Sequence, residues 1–251
     1  MNQRWEGLYL INRRASRESR STARTNLQSQ LSLGYITYSW DTMDFSRPLS
    51  VVAPTLDGDV LAVLAGAEEE FTGRRIHRVL GRGSEHGVRK AADRLVEQGI
   101  VNRRQAGQAK LYSLNRSHLA APYVEGLRTL LPQLVERLTK TVTGWEVPPA
   151  LVFLFGSVAR GDAGPGSDLD LFVVRKPASA GSRDSKWEEQ LVDLESEATA
   201  WTGNEARVLE YRRQDLADPA IHELAEEVVA DGIAIFGTTS QLKRMISAPK
   251  S

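Results

Sequence analysis

The sequence predicts a chain of α+β and α/β character in two parts: a front part of short helices closed by a β-hairpin, and a rear part in which a few strands alternate with helices. Three observations carry this. Three helical patterns between Thr55 and Gly99 are followed by two strand-like runs around an Ala-Gly turn. From Leu151 onward, apolar runs of strand length alternate with longer helical patterns. The charge divides the same way: 32 basic and 32 acidic residues cancel overall, but basic residues outnumber acidic ones seven to four over 1–54 and eleven to eight over 55–118, and trail fourteen to twenty over 119–251. Such asymmetry points to nucleic acid for the front part or to an ordinary solvated surface.

At 251 residues and 41% hydrophobic content the chain can build one large or two modest cores. No apolar run approaches the roughly 18 residues of a membrane span and no secretory pattern opens the sequence, so a soluble, cytoplasmic protein without membrane partners is expected. Cysteine is absent, and His77, His86, His118 and His222 lack metal-ligand spacing. Any metal must therefore be held by oxygen.

Residues 1–42 are rich in Arg and Ser, include "RRASRESRSTARTN" and show no sustained periodicity. They read as a disordered or non-native N-terminal extension. The stretches "TLDGDVLAVLAG", "TGRRIHRVLG" and "SEHGVRKAADRLVEQG" read as helices, with Thr72 and Ser84 as N-caps and Gly66, Gly81 and Gly99 as stops. "IVNRRQAGQAKLYSLN" then reads as a hairpin. Three helices followed by a hairpin is the order of a winged helix-turn-helix, placed at 55–118. Val88, Ala91, Ala92 and Leu95 make one apolar face of the third helix, which leaves His86, Arg89 and Lys90 outward, where they can lie in a major groove of duplex DNA. Arg103, Arg104 and Lys110 of the hairpin suit flanking phosphates. The alternative is a set of exposed charges on a protein-contact module.

Residues 119–143 read as a helical linker with Leu127, Leu130, Leu131, Leu134 and Leu138 on one stripe. A third unit is expected over 144–237, with a tail at 238–251. Within it, Trp187, Leu191, Leu194, Ala198 and Trp201 recur at helical spacing, as on a core-facing helix. "EARVLEYR" reads as a strand, "DPAIHELAEEVVADG" as a helix and "IAIFG" as a last strand.

The chemistry gathers in "LVFLFGSVARGDAGPGSDLDLFVV", residues 151–174. Asp168 and Asp170 interrupt an apolar strand, where unpaired carboxylates are costly. Strand alternation puts both on one face with Cα atoms roughly 6.6 Å apart, and Leu169, Leu171 and Val173 on the other. Two carboxylates that close call for cations between them, and hard oxygen ligands favour Mg²⁺ or Mn²⁺, as a pair of ions about 4 Å apart. Upstream, Gly156 lets backbone amides approach a phosphate, Ser157 adds a donor and Arg160 a bidentate charge.

The run Gly156-Ser157-x-Ala159-Arg160-Gly161-x5-Ser167-Asp168-Leu169-Asp170-Leu171 resembles the signature of the minimal nucleotidyltransferases of the DNA polymerase beta superfamily, a likeness that covers about residues 120 to 237. A winged helix joined to such a domain is also similar to a two-part layout of bacterial proteins. The resemblance implies a small mixed sheet flanked by helices and transfer of a nucleoside monophosphate from a nucleoside triphosphate, ATP or another, to an acceptor hydroxyl with release of pyrophosphate. It implies Asp168 and Asp170 as bridging ligands of two ions, and Gly156, Ser157, Arg160 and Ser167 as nucleotide-binding residues. A third carboxylate is implied on a later strand. Glu210 is its candidate because it alone interrupts "RVLEY", against the reading of an edge-strand surface residue. The acceptor stays open between a protein side chain, an RNA end and a small molecule such as an aminoglycoside. The alternative function is a DNA-binding regulator or antitoxin whose rear domain modifies a partner toxin or only senses nucleotide. Oligomeric state is not set by the sequence; a dimer is compatible with it.

Overall fold

The computed structural model describes residues 42–177 and 184–247. The expected disordered extension therefore lies outside the described residues, apart from Thr42, whose Oγ1 accepts a hydrogen bond from the Gly166 amide at 2.6 Å.

In the front part the helices are punctuated by side-chain caps. Helix α1 (Leu56–Ala65) is capped by Thr55, which accepts from the Asp57 amide. After a short strand β1 (Phe71–Thr72), the Thr72 hydroxyl accepts from Arg75 to start α2 (Gly73–Leu80), and Ser84 does the same through Gly87 for α3 (Glu85–Glu97). Gly81 and Gly99 follow α2 and α3 with φ of 63° and 78°, conformations that favour glycine. Strands β2 (Val101–Ala106) and β3 (Ala109–Leu114) pair as an antiparallel hairpin. β1 joins β3 on its other edge, giving the order β1-β3-β2. Val60, Leu64, Ile76, Val88, Ala91, Ala92, Leu95 and Tyr112 fill one core, and the four apolar positions expected on the third helix are all buried.

The expected single linker helix is two helices, α4 (Ala121–Arg128) and α5 (Leu130–Thr143). The restart after Thr129 fits Pro132, whose missing amide is harmless only in a first turn. The break divides the leucine stripe between two cores: Val124 and Leu127 pack in the front one, Leu134 and Leu138 in the rear one.

The rear part is a four-stranded mixed sheet in the order β6-β5-β4-β7. Strand β4 (Leu151–Phe155) is flanked antiparallel by β5 (Leu169–Arg175) and β7 (Ile233–Phe236). β6 (Ala206–Arg212) runs parallel to β5, and the crossover such a pair needs is supplied by the long helix α7 (Asp184–Thr202). Alternate residues sort onto two faces. Val152, Leu154, Leu169, Leu171 and Val173 face α5 and α7, meeting Leu138, Trp187, Leu191, Leu194 and Ala198. Leu151, Phe153, Phe172, Val174 and Tyr211 face the opposite way, under Leu224, Ala225 and Val228 of α8 (Pro219–Asp231). Residues read as a tail form a further helix, α9 (Thr239–Ile246), whose Leu242 is buried in this second cluster.

One strap joins the two parts. The Met43 amide donates to Thr202 O and to Asn204 Oδ1, Phe45 is buried in the rear core and Leu49 in the front one, and Arg47 Nε lies 3.0 Å from Asp59 Oδ1. No helix among the described residues is long and apolar enough to cross a membrane.

Candidate active site

β4 ends at Phe155, which pairs with Asp170. The chain then turns through Gly156 at φ 79° into the single-turn helix α6 (Gly156–Arg160). A Cβ on Gly156 would come within 2.8 Å of Asp170 Oδ2, so glycine is required both by the backbone and by the carboxylate packed against it. Gly161, at φ 75°, ends α6, and the loop brings the chain back to Ser167. Ser167 Oγ accepts from the Gly164 amide, which closes the loop on itself.

Asp168 stands one residue ahead of β5 and Asp170 lies within it, on the face shared with Phe172 and Val174. Both are half-buried at the end of the strand. Burial pushes the Asp170 carboxyl up to about 6, the Asp168 charge adds to this, and Arg207 and Arg160 pull against it. Burial also raises Asp168, opposed by Arg207 and reinforced by Glu205. Crowded carboxylates of this kind are held in the charged form by a cation.

Arg207 was not foreseen from the sequence. β6 pairs with β5 so that Arg207 lies opposite Asp170, on the aspartates' face, and its Nη1 approaches Asp168 Oδ2 to 2.5 Å. Glu205 Oε2 lies 3.5 Å from Arg207 Nη2. Arg160, at the end of α6, pairs with Asp162 at 3.3 Å and is near enough to act on Asp170.

Glu210 does not join this group. Its register partner is Val173, which faces α7, and there Glu210 Oε1 accepts the indole N–H of the fully buried Trp187 at 2.7 Å. The third carboxylate expected from the sequence is therefore on the wrong face of the sheet. Trp187 supplies the reason: a buried indole N–H needs an acceptor. No group of three or more acidic or histidine side chains among the described residues could hold a metal. What remains is a two-carboxylate donor set. It fits one divalent cation of the kind that takes one or two carboxylates and completes its shell with phosphate oxygens and water.

A second residue missed by sequence reasoning is Asn204, fully buried just ahead of β6. Its Nδ2 donates to Ser167 O at 2.7 Å and to Met43 O at 3.1 Å, while its Oδ1 accepts from the Met43 amide. The only signal available was a Gly203-Asn204 turn pair. Through it, the loop carrying the aspartates is fastened to the strap.

On the front part the expected DNA-contacting side chains are already partnered. Arg89 pairs with Glu85, and its stem lies over Gly73. Arg103 and Lys110 both reach Asp93, at 3.2 and 3.3 Å, and Arg104 Nε reaches Glu70 at 2.9 Å. Asp93 also accepts from the hydroxyl of buried Tyr112 at 3.0 Å, which ties the hairpin to α3. Lys90 and His86 are both exposed on the same helix.

Residues 136–222 match the family described as nucleotidyltransferase domain. That span runs from α5 into α8 and contains Gly156, Ser157, Arg160, Ser167, Asp168, Asp170 and Arg207. No curated protein matches the chain. Among solved structures, a toxin-antitoxin crystallised with AMP-PNP is 20% identical over 47% of this chain and 82% of its own, with a TM-score of 0.31. A mutant of the toxin-antitoxin MntA-HpeT is 18% identical over 45% and 80%, with a TM-score of 0.32. The segment that sets Asp168 and Asp170 side by side is thus a nucleotidyltransferase domain, an enzyme domain joined to a helical front part that the family match does not reach.

Proposed function

We propose that the chain transfers a nucleoside monophosphate from a nucleoside triphosphate to an acceptor hydroxyl and releases pyrophosphate. The observation that carries this reading is the convergence of Asp168 and Asp170 at one strand end, against a glycine whose missing Cβ leaves room at Asp170 Oδ2. Asp168 and Asp170 would hold Mg²⁺ or Mn²⁺ together with the substrate's phosphates. When bound, the ion offsets the charge that develops on the leaving pyrophosphate. Gly156 and Ser157 present the start of α6 to the phosphates, Arg160 adds a guanidinium beside Asp170, and Ser167 shapes the loop beneath them. The acceptor oxygen attacks the α-phosphorus, the bond from that phosphorus to the bridging oxygen of the β-phosphate breaks, and the hydroxyl proton passes to water. Glu210 has no part in this site.

The test is incubation of the purified full chain with α-labelled nucleoside triphosphates, Mg²⁺ and cell extract, separated into protein, RNA and small-molecule fractions. Label should move to one fraction with equimolar pyrophosphate, and Asp168→Asn or Asp170→Asn should abolish it. Transfer that survives either substitution refutes the reading. Label on a protein band would favour a partner toxin as the acceptor; nucleotide binding without transfer would favour a sensor.

The front part is read as a winged helix that binds duplex DNA. The order α1, α2, α3 and hairpin supports it, as does the outward face bearing His86, Arg89 and Lys90. Because Arg89, Arg103, Arg104 and Lys110 hold acidic partners, DNA phosphates must displace Glu85, Asp93 and Glu70 to engage them, which weakens binding relative to a face of free cations.

A further inference from the structure

We infer that Arg207 is a built-in counter-cation of the aspartate pair, which keeps a divalent ion from binding tightly to Asp168 and Asp170 until nucleotide phosphates are present. The inference rests on the two-aspartate reading above and concerns the order in which that site is filled. Parallel pairing of β5 and β6 sets Arg207 opposite Asp170, and its Nη1 contacts Asp168 Oδ2 at 2.5 Å. The Arg207 side chain is only 31% exposed and that of Asp168 26%, so their attraction is poorly screened by water. Glu205 steadies the other end of the same guanidinium at 3.5 Å. The next residue of β6 on this face, Leu209, is apolar and packs beside Phe172 and Tyr211. Where a third acid would have strengthened the negative field, the strand therefore supplies a fixed positive charge that protein conditions cannot remove.

A divalent ion that takes Asp168 as a ligand must compete with this guanidinium for the same oxygen. Triphosphate changes the balance, because its oxygens offer ligands to the ion and a bidentate acceptor to the displaced Arg207. Arg207 then exchanges a carboxylate for a phosphate while the ion takes the carboxylate, and no charge is left without a partner.

Mn²⁺ alone is the probe, titrated into the full chain without nucleotide and followed by the electron paramagnetic resonance of the free ion. Arg207→Gln should bind Mn²⁺ about tenfold or more tightly than wild type, since a unit charge at this range is worth at least that factor even at a high effective dielectric. Arg207→Lys should shift affinity in the same direction by less, because a lysine lacks the planar fork. Circular dichroism selects the variants that are folded, and Arg207→Lys decides the matter should Arg207→Gln not fold. Equal or weaker Mn²⁺ binding in the folded variants overturns the inference. The background Asp170→Asn separates the two readings: if Mn²⁺ binding persists there, the aspartate pair is not the ion site and the proposed function fails; if it disappears while Arg207→Gln gains nothing, only the role of Arg207 fails.

Discussion

Asp170→Asn is expected to stabilise the metal-free protein at pH 7.5 by about 2–3 kcal/mol, although it abolishes transfer. Burial, and then the Asp168 charge, raise the Asp170 carboxyl from 3.8 to about 6. Each unit of that rise is about 1.4 kcal/mol of preference for the neutral form. A carboxyl whose folded pKa lies above its unfolded value holds its proton more tightly in the fold. Its penalty is therefore absent below pH 3.8, grows as pH rises to about 6 and is complete above that. Asparagine keeps the shape and removes the charge, and Arg207 retains Asp168 as its partner. The assay is urea unfolding in EDTA across this pH range, followed by tryptophan fluorescence, because Trp145, Trp187 and Trp201 all pack in the cluster between the sheet and α7. The two proteins should be equally stable near the acid end, with the variant gaining steadily and then levelling off. A variant no more stable than wild type at pH 7.5 would refute the reasoning.

Glu210→Gln should leave transfer near wild type, since the side-chain carbonyl can still accept from Trp187 on the face away from the aspartates; loss of transfer in a folded variant would return Glu210 to the site. Gly156→Ala should cost about 1–3 kcal/mol for the positive φ alone and should abolish nucleotide binding measured by calorimetry, because the new methyl meets Asp170 Oδ2. Asp93→Ala should destabilise the front part by about 1–3 kcal/mol, chiefly by orphaning the Tyr112 hydroxyl, as read by amide exchange in β3. In gel-shift titrations at two salt concentrations, Arg103→Ala with Arg104→Ala should flatten the slope of log K against log salt by up to about 2, and Glu70→Gln should tighten binding by freeing Arg104; no binding at low salt would mark a protein-contact module.

Much of the fold was legible because its signals are local. Thr72 and Ser84 cap the helices they were expected to cap, the apolar runs at 151–155 and 169–175 are strands, and the i, i+3, i+4 faces of α3 and α7 are buried. The aspartate pair was legible because a period of two fixes its common face. The same period misled for β6. In "ARVLEYR" one parity carries Arg207 and the other Glu210, and nothing within the strand says which parity meets the aspartates. That is decided by the register with β5 and by the need of the Trp187 indole for an acceptor, both long-range facts. Two-residue β1 is too short to leave a pattern, and the break at Thr129 is masked by a leucine stripe that continues across it. Asn204 follows a glycine and nothing local says more of it; only the return of the strap from 161 positions away reveals what it holds.

The strap has a mechanical consequence. Phe45 in one core and Leu49 in the other are joined by a short run wound into a turn and the start of a 3-10 helix, and Asn204 ties the beginning of the strap to the carbonyl of Ser167, next to Asp168. A displacement of the front part is thus felt, through this short connection, at the loop that aims the aspartates, whereas a few glycines spliced in after Phe45 would loosen it and leave the two halves joined through α4 and α5 alone.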